Sequence, residues 1–176
     1  MNLERQLRLG EWIEQPGLPS NATVPKSDAF GRVEHEAERF QAGILAEDLE
    51  TAGWVTQQWQ HFLGVLPEKM RRVQLQQLDN AFGFSKTGNS EVLFSWLRIA
   101  IRHHYAPAMP ALELFLTSQG RRKFLQPLYQ DLMTTEWGKR EASRLYERAR
   151  PLYHSVSTST LDRIVLGKGS ATHNPG

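Results

Sequence analysis

The residues that come nearest to a metal centre in this chain are His35-Glu36-Ala37-Glu38-Arg39. A metal-binding HEXXH helix sets two histidines at i and i+4 on one face, with the first glutamate as base. Here the fifth position is Arg39, so the second ligand is missing and the segment reads as a solvated helix face. His103 and His104 are neighbours, which on a helix point about 100° apart and cannot grip one ion as a pair. They read as helix-end histidines near the negative end of a helix dipole. His61 and His154 lack ligand-type partners at useful spacing. The 176 residues contain no cysteine, which removes disulfide frameworks, thiol nucleophiles and cysteine-bound metals. There is no GxSxG elbow, and Gly167-Lys168-Gly169-Ser170 lacks the longer frame of a phosphate loop. No metal site and no catalytic nucleophile can be assembled from these patterns.

Anion binding is the chemistry that remains. Gln119-Gly120-Arg121-Arg122-Lys123 lies between two helical patterns. Gly120 suits the end of one helix, and the next begins close to Arg121. Cations there stand beside free backbone N–H groups and the positive end of the dipole, a combination that attracts an anion. Pro127 cannot donate to the Lys123 carbonyl, which predicts an irregular first turn. On a regular helix Arg121 and Lys123 diverge by about 200°; at an irregular start they can converge. A solvated or salt-bridged basic turn is the alternative reading. Arg71-Arg72 and the group Arg140, Arg144, Arg148 and Arg150 read as outer helix surface.

The elements around this turn read as helices. Leu3 to Gln15 is helix-compatible and stops at Pro16-Gly17-Leu18-Pro19. Ser27 or Asp28 can cap a helix with Phe30, Val33, Ala37, Phe40 and Ile44 as its apolar stripe. Val55, Trp59, Phe62, Leu63 and Leu66 continue the pattern. Pro67 suits the first position of a helix whose inner face would carry Met70, Val73, Leu78, Ala81 and Phe82, with Gly83 as its C-terminal cap. Asn89 or Ser90 caps the most apolar stretch, Val92 to Ile101, where Ser95, Arg98 and Arg102 form a polar stripe; this predicts a central helix. Further helices run through Met109 to Leu116, Phe124 to Met133 and Ala142 to Tyr153. Ser155 to Thr160 reads as a cap and turn before a short helix over Leu161 to Leu166. No useful stretch alternates with period two. Helix pairs begin near residues 54, 90 and 121, a spacing that predicts stacked antiparallel pairs.

Composition narrows the function classes. The hydrophobic fraction of 40% fits a folded globule. The net charge of +2 conceals a split: residues 1–60 carry 10 acids and 5 bases, and residues 61–176 carry 9 acids and 16 bases. That basic excess is spread over several helices without a nucleic-acid motif, so no nucleic-acid partner is expected. No apolar stretch approaches the ~18 residues of a membrane span, and the N-terminus has no signal-peptide core. A cytoplasmic protein is expected.

Several stretches together resemble the C-terminal helical domain of the leukotriene A4 hydrolase and aminopeptidase B family of zinc aminopeptidases. They are Trp12-Ile13-Glu14-Gln15-Pro16-Gly17-Leu18-Pro19, Asn89-Ser90-Glu91, Trp96-Leu97-Arg98, Gln119-Gly120-Arg121-Arg122-Lys123-Phe124, Pro127-Leu128-Tyr129 and Asp131-Leu132. They fall in the family's order over roughly residues 10–167. The resemblance implies an all-α fold, an irregular two-layer right-handed superhelix of HEAT/armadillo type, packed beside a catalytic domain. It implies that the zinc belongs to that other domain, since this chain has no HEXXH, no downstream glutamate ligand and no GxMEN-type motif. It further implies that the domain closes one side of the active-site cleft, and that Arg121 and Lys123 bind the carboxylate of a peptide substrate. The expected organisation is a helical lead-in at 1–15, the domain at 16–167 and a tail at 168–176. The partners expected are the catalytic zinc domain and the peptide substrate. This chain alone would then be inactive. A non-enzymatic helical-repeat scaffold for protein–protein interaction is the alternative, resting on the spacing of the helix pairs.

Overall fold

Asn89 shows how local chemistry sets the frame. Its side-chain oxygen accepts from the N–H groups of Glu91 and Val92, at 3.1 and 3.3 Å, and so starts helix Ser90–Arg102. At the other end of the preceding helix, Gly83 takes the left-handed conformation (φ 64°) that a side chain resists. A computed structural model describes residues 28–167 of the chain. Within them are eight α-helices and no strand: α1 Asp28–Gln41, α2 Thr56–Val65, α3 Arg72–Phe82, α4 Ser90–Arg102, α5 Met109–Ser118, α6 Arg122–Leu132, α7 Glu136–Ala149 and α8 Ser155–Val165. Four short 3-10 turns join them. The expected lead-in, the start of the expected domain at 16–27 and the tail lie outside the described residues.

The α4 helix is central, with α2 on one side and α6 on the other; α8 lies beyond α6, and α1 beyond α2. Helices α5 and α7 also pack together, α5 against α4 and α7 against α6 and α8. Trp96 of α4 is wholly buried, and its indole N–H donates to the Ser85 hydroxyl at 2.9 Å. That hydroxyl donates in turn to Asp79 of α3 at 2.7 Å. Trp54, Trp59, Phe62, Phe82 and Phe84 form a continuous edge-on aromatic cluster between α2 and α3. The core is thus one contiguous set of side chains from every helix.

Four expectations are corrected. Pro67 does not open α3, which starts at Arg72. The Met70 N–H is taken by His103 Nε2 at 3.0 Å, while the opposite ring nitrogen donates to the Ile99 carbonyl, so the segment from 67 to 71 is tied to α4 instead of coiling. The inner stripe of α3 is therefore Leu75, Leu78 and Phe82, with Val73 half exposed and Ala81 exposed. Second, Ile44 lies past the end of α1, beyond a left-handed Gly43, and is exposed. Third, Ser155 to Thr160 is the first half of α8 and not a turn. The hydroxyls of Thr158, Ser159 and Thr160 each donate to the carbonyl four residues back, which leaves them satisfied inside a helix.

Fourth, the His35-Glu36 segment is not a solvated face throughout. Glu36 is buried, its carboxylate held by Arg39 at 2.8 Å and by the Glu50 N–H at 2.9 Å. It is a structural anchor joining α1 to the loop ahead of α2.

Candidate functional site

The turn between α5 and α6 is built from three directions. The α5 helix ends at Ser118, and Gln119 and Arg121 both take extended backbone conformations. Gln119 Nε2 donates to Ser90 at the start of α4, at 3.3 Å. The Gly120 carbonyl accepts from the Ser157 hydroxyl of α8, also at 3.3 Å. Phe124 is buried against Phe94 of α4 and Phe115 of α5, with ring centroids 5.2 and 5.6 Å apart, and fastens the first turn of α6 to the core. The basic turn is therefore a fixed platform at the junction of α4, α5, α6 and α8.

The Arg121 carbonyl accepts from both the Phe124 and Leu125 N–H groups, at 3.0 and 3.2 Å, and the helix runs on through Pro127. Arg121 sits immediately before the helix, in extended backbone, and no side chain caps the first turn. The 100° per residue of a helix does not govern it, so its direction is set by the turn and not by the expected irregularity. Arg121 and Arg122 are exposed, and neither side chain has a hydrogen bond or ion pair among the described residues.

Lys123 stands differently. Its ammonium is 2.6 Å from Glu91 Oε1 of α4 and 4.5 Å from the centre of the Phe124 ring. The other Glu91 oxygen accepts from Gln60 Nε2 of α2 at 3.4 Å. Among the described residues one expected site residue is thus unpaired and the other is already engaged. Sequence reasoning missed Glu91 and Gln60 as neighbours of the turn. The available signal was their spacing: Gln60, Glu91 and Lys123 are 31 and 32 residues apart, matching the interval between helix pairs.

Several other charged groups are paired structurally. Arg98 makes a two-pronged bond to Asp131 at 2.6 and 3.1 Å, joining α4 to α6; this bond raises the guanidinium above its ordinary range. Arg144 and Arg148 both reach Glu113, and Arg150 holds Asp162. Among the described residues no group of three or more histidine or carboxylate side chains could hold a metal. His103 is committed to its two backbone bonds, and His104 stacks on Trp137 with ring centres 4.4 Å apart.

Residues 54–165 match the family model described as leukotriene A4 hydrolase, C-terminal. The chain belongs to this family. A leukotriene A-4 hydrolase of Xenopus laevis is 30% identical over 83% of the chain, and a leucine aminopeptidase 2 of Ajellomyces capsulatus is 23% identical over 91%. Solved structures share the leukotriene A4 hydrolase C-terminal fold: native yeast LTA4 hydrolase superposes with a TM-score of 0.66 at 19% identity, over 88% of this chain and 28% of its own. The yeast enzyme in complex with bestatin gives 0.65 at 18% identity, over 86% and 27%. The chain spans about a quarter of the length of the curated relatives it matches, 25% and 26%. Among the described residues no helix is long and apolar enough to cross a membrane.

A tyrosine chain beneath the turn gives this family member a testable pH response. Tyr153 donates to the Leu116 carbonyl at the end of α5, at 2.6 Å, and so accepts from Tyr129 at 3.2 Å. Burial pushes the Tyr153 hydroxyl up to about 12, and burial pushes Tyr129 and Tyr146 higher still. An unfolded tyrosine ionises near 10, so the folded state keeps protons that the unfolded state gives up. The stability these groups confer is complete below pH 10 and is lost as pH rises towards 12. Tyrosinate absorbance and circular dichroism followed together should show ionisation and unfolding in one step above pH 10. Titration of these tyrosines near pH 10 with the helices intact would contradict it.

Proposed function

We propose that this chain is the C-terminal helical domain of a leukotriene A4 hydrolase-like zinc aminopeptidase, with Arg121 and Lys123 receiving the carboxylate of a short peptide. The observation that carries the reading is the exposed Arg121 just before α6, unpaired among the described residues, on a turn fixed by α4 and α8. A carboxylate placed there meets a guanidinium able to make two parallel bonds, along with uncapped N–H groups at a helix start. Arg121 is the principal anchor. Lys123, shared with Glu91, is the assistant.

In this reading the domain, residues 16–167, closes one side of the active-site cleft of a separate catalytic domain. That domain holds the zinc and the catalytic base, and the helices of this chain stack as a two-layer right-handed superhelix. The enzyme is cytoplasmic. Relatives are about four times longer than the matched region, which supports a second domain in the complete protein. The polypeptide detected in cells by an antibody against this domain is therefore expected to be about four times as long as this chain, with an HEXXH segment in the reading frame before Met1. A polypeptide of this chain's own length, with no such segment, would overturn the reading and favour a stand-alone helical scaffold.

A further inference from the structure

We propose that Glu91 is a specificity-determining residue of this carboxylate site, acting through Lys123; the inference rests on the reading just given. Lys123 is held from two sides, by Glu91 at 2.6 Å and by the face of the Phe124 ring at 4.5 Å. Glu91 is held in place by Gln60 and by its position in the first turn of α4. Among the described residues Lys123 is the cation that Glu91 pairs with, since Arg98, one helix turn beyond Ser95 on the same face, is committed to Asp131.

The pair is exposed, with 55% of the Lys123 side chain and 38% of the Glu91 side chain open to water. An incoming carboxylate can therefore reach the ammonium without displacing any packed group. It must share that ammonium with a like charge already at hydrogen-bond distance. Arg121 offers its full charge and Lys123 a partly cancelled one. This arrangement suits the single negative charge of a peptide C-terminus and penalises ligands carrying a second acid close by. Glu91 trades affinity for selection among anions.

The test uses the complete enzyme, this domain together with its zinc domain, and two tripeptide substrates, one with a free C-terminal carboxylate and one with a C-terminal amide. Glu91→Gln keeps the shape and the acceptor for Gln60 while removing the charge, and Phe124 continues to hold Lys123. It is expected to lower KM for the free acid by about two- to fivefold, the scale of an exposed ion pair. The kcat value and the amide kinetics should stay unchanged. In a Lys123→Met background the same substitution should have no effect, which a merely structural role for Glu91 would not produce. An unchanged or raised KM in Glu91→Gln, beside a raised KM in Arg121→Ala, overturns the role of Glu91 and leaves the carboxylate site standing. A peptide KM indifferent to Arg121→Ala removes the site and this inference with it.

Discussion

Gly138→Ala is expected to lower the melting temperature by about 6–12 °C, the equivalent of roughly 3 kcal/mol in a chain of this size. Gly138 is buried in the first turn of α7, where the chain doubles back over the end of α6. A Cβ at this position would stand 2.0 Å from the Leu132 carbonyl oxygen and 2.8 Å from its carbon. Both obstacles are backbone, so no rotamer change relieves the overlap, and α6 and α7 must move apart. Helix propensity argues the other way, since alanine is favoured over glycine inside a helix by about 1 kcal/mol. The overlap outweighs that preference. Gly120→Ala is the matched control: its Cβ would meet His154 at an ordinary 3.9 Å, and its cost should be within about 0.5 kcal/mol. Equal, small shifts for the two variants would show that α6 and α7 are not in close contact at Gly138.

Arg121→Ala is expected to lower kcat/KM for small peptides by tenfold to a few hundredfold in the complete enzyme. A charge-assisted hydrogen bond to a carboxylate contributes about 1.5–3 kcal/mol, and each 1.4 kcal/mol is a factor of ten. The variant should fold normally, because the Arg121 side chain bonds to nothing else among the described residues. Lys123→Ala should cost less, since part of its charge already serves Glu91. Peptide kinetics unchanged by Arg121→Ala would remove the proposed anchor.

Much of the helical order was legible from residue types. Asn89 announced α4 because its side chain can serve N–H groups that a helix start leaves open, and Gly83 announced the end of α3. The family was legible too. Trp96, Arg98 and Asp131 carry part of the resemblance, and each turns out to lock α4 to a neighbouring element. What escaped were features decided by partners outside the local pattern, 14 to 37 residues away. Pro67 looked like a helix start until His103 claimed the Met70 N–H. Glu36 looked solvated because the Glu50 N–H that fixes it comes from a loop. The hydroxyl-rich run at Ser155–Thr160 looked like a turn, yet its side chains bond back along a helix while Ser157 reaches the Gly120 carbonyl.

The candidate site was half legible. The turn from Gly120 to Lys123 could be found from charge and position, and the family pattern singled out Arg121 and Lys123. The unequal standing of the two cations could not be seen, because it depends on Glu91 from the previous helix pair. The interval between helix pairs was the overlooked clue. Ion pairs and hydrogen bonds linking successive pairs, such as Thr56 with Asn89 and Arg98 with Asp131, recur at 33 residues. In a stack of repeats, that separation is where cross-element partners belong.

The most direct measurement compares a tripeptide with its C-terminal amide as substrates of the complete enzyme, in the native protein and in Arg121→Ala. If Arg121 receives the carboxylate, the native enzyme prefers the free acid by at least about tenfold in kcat/KM, and Arg121→Ala loses most of that preference while the amide is processed as before. Equal preference for the acid with and without Arg121 would contradict the account.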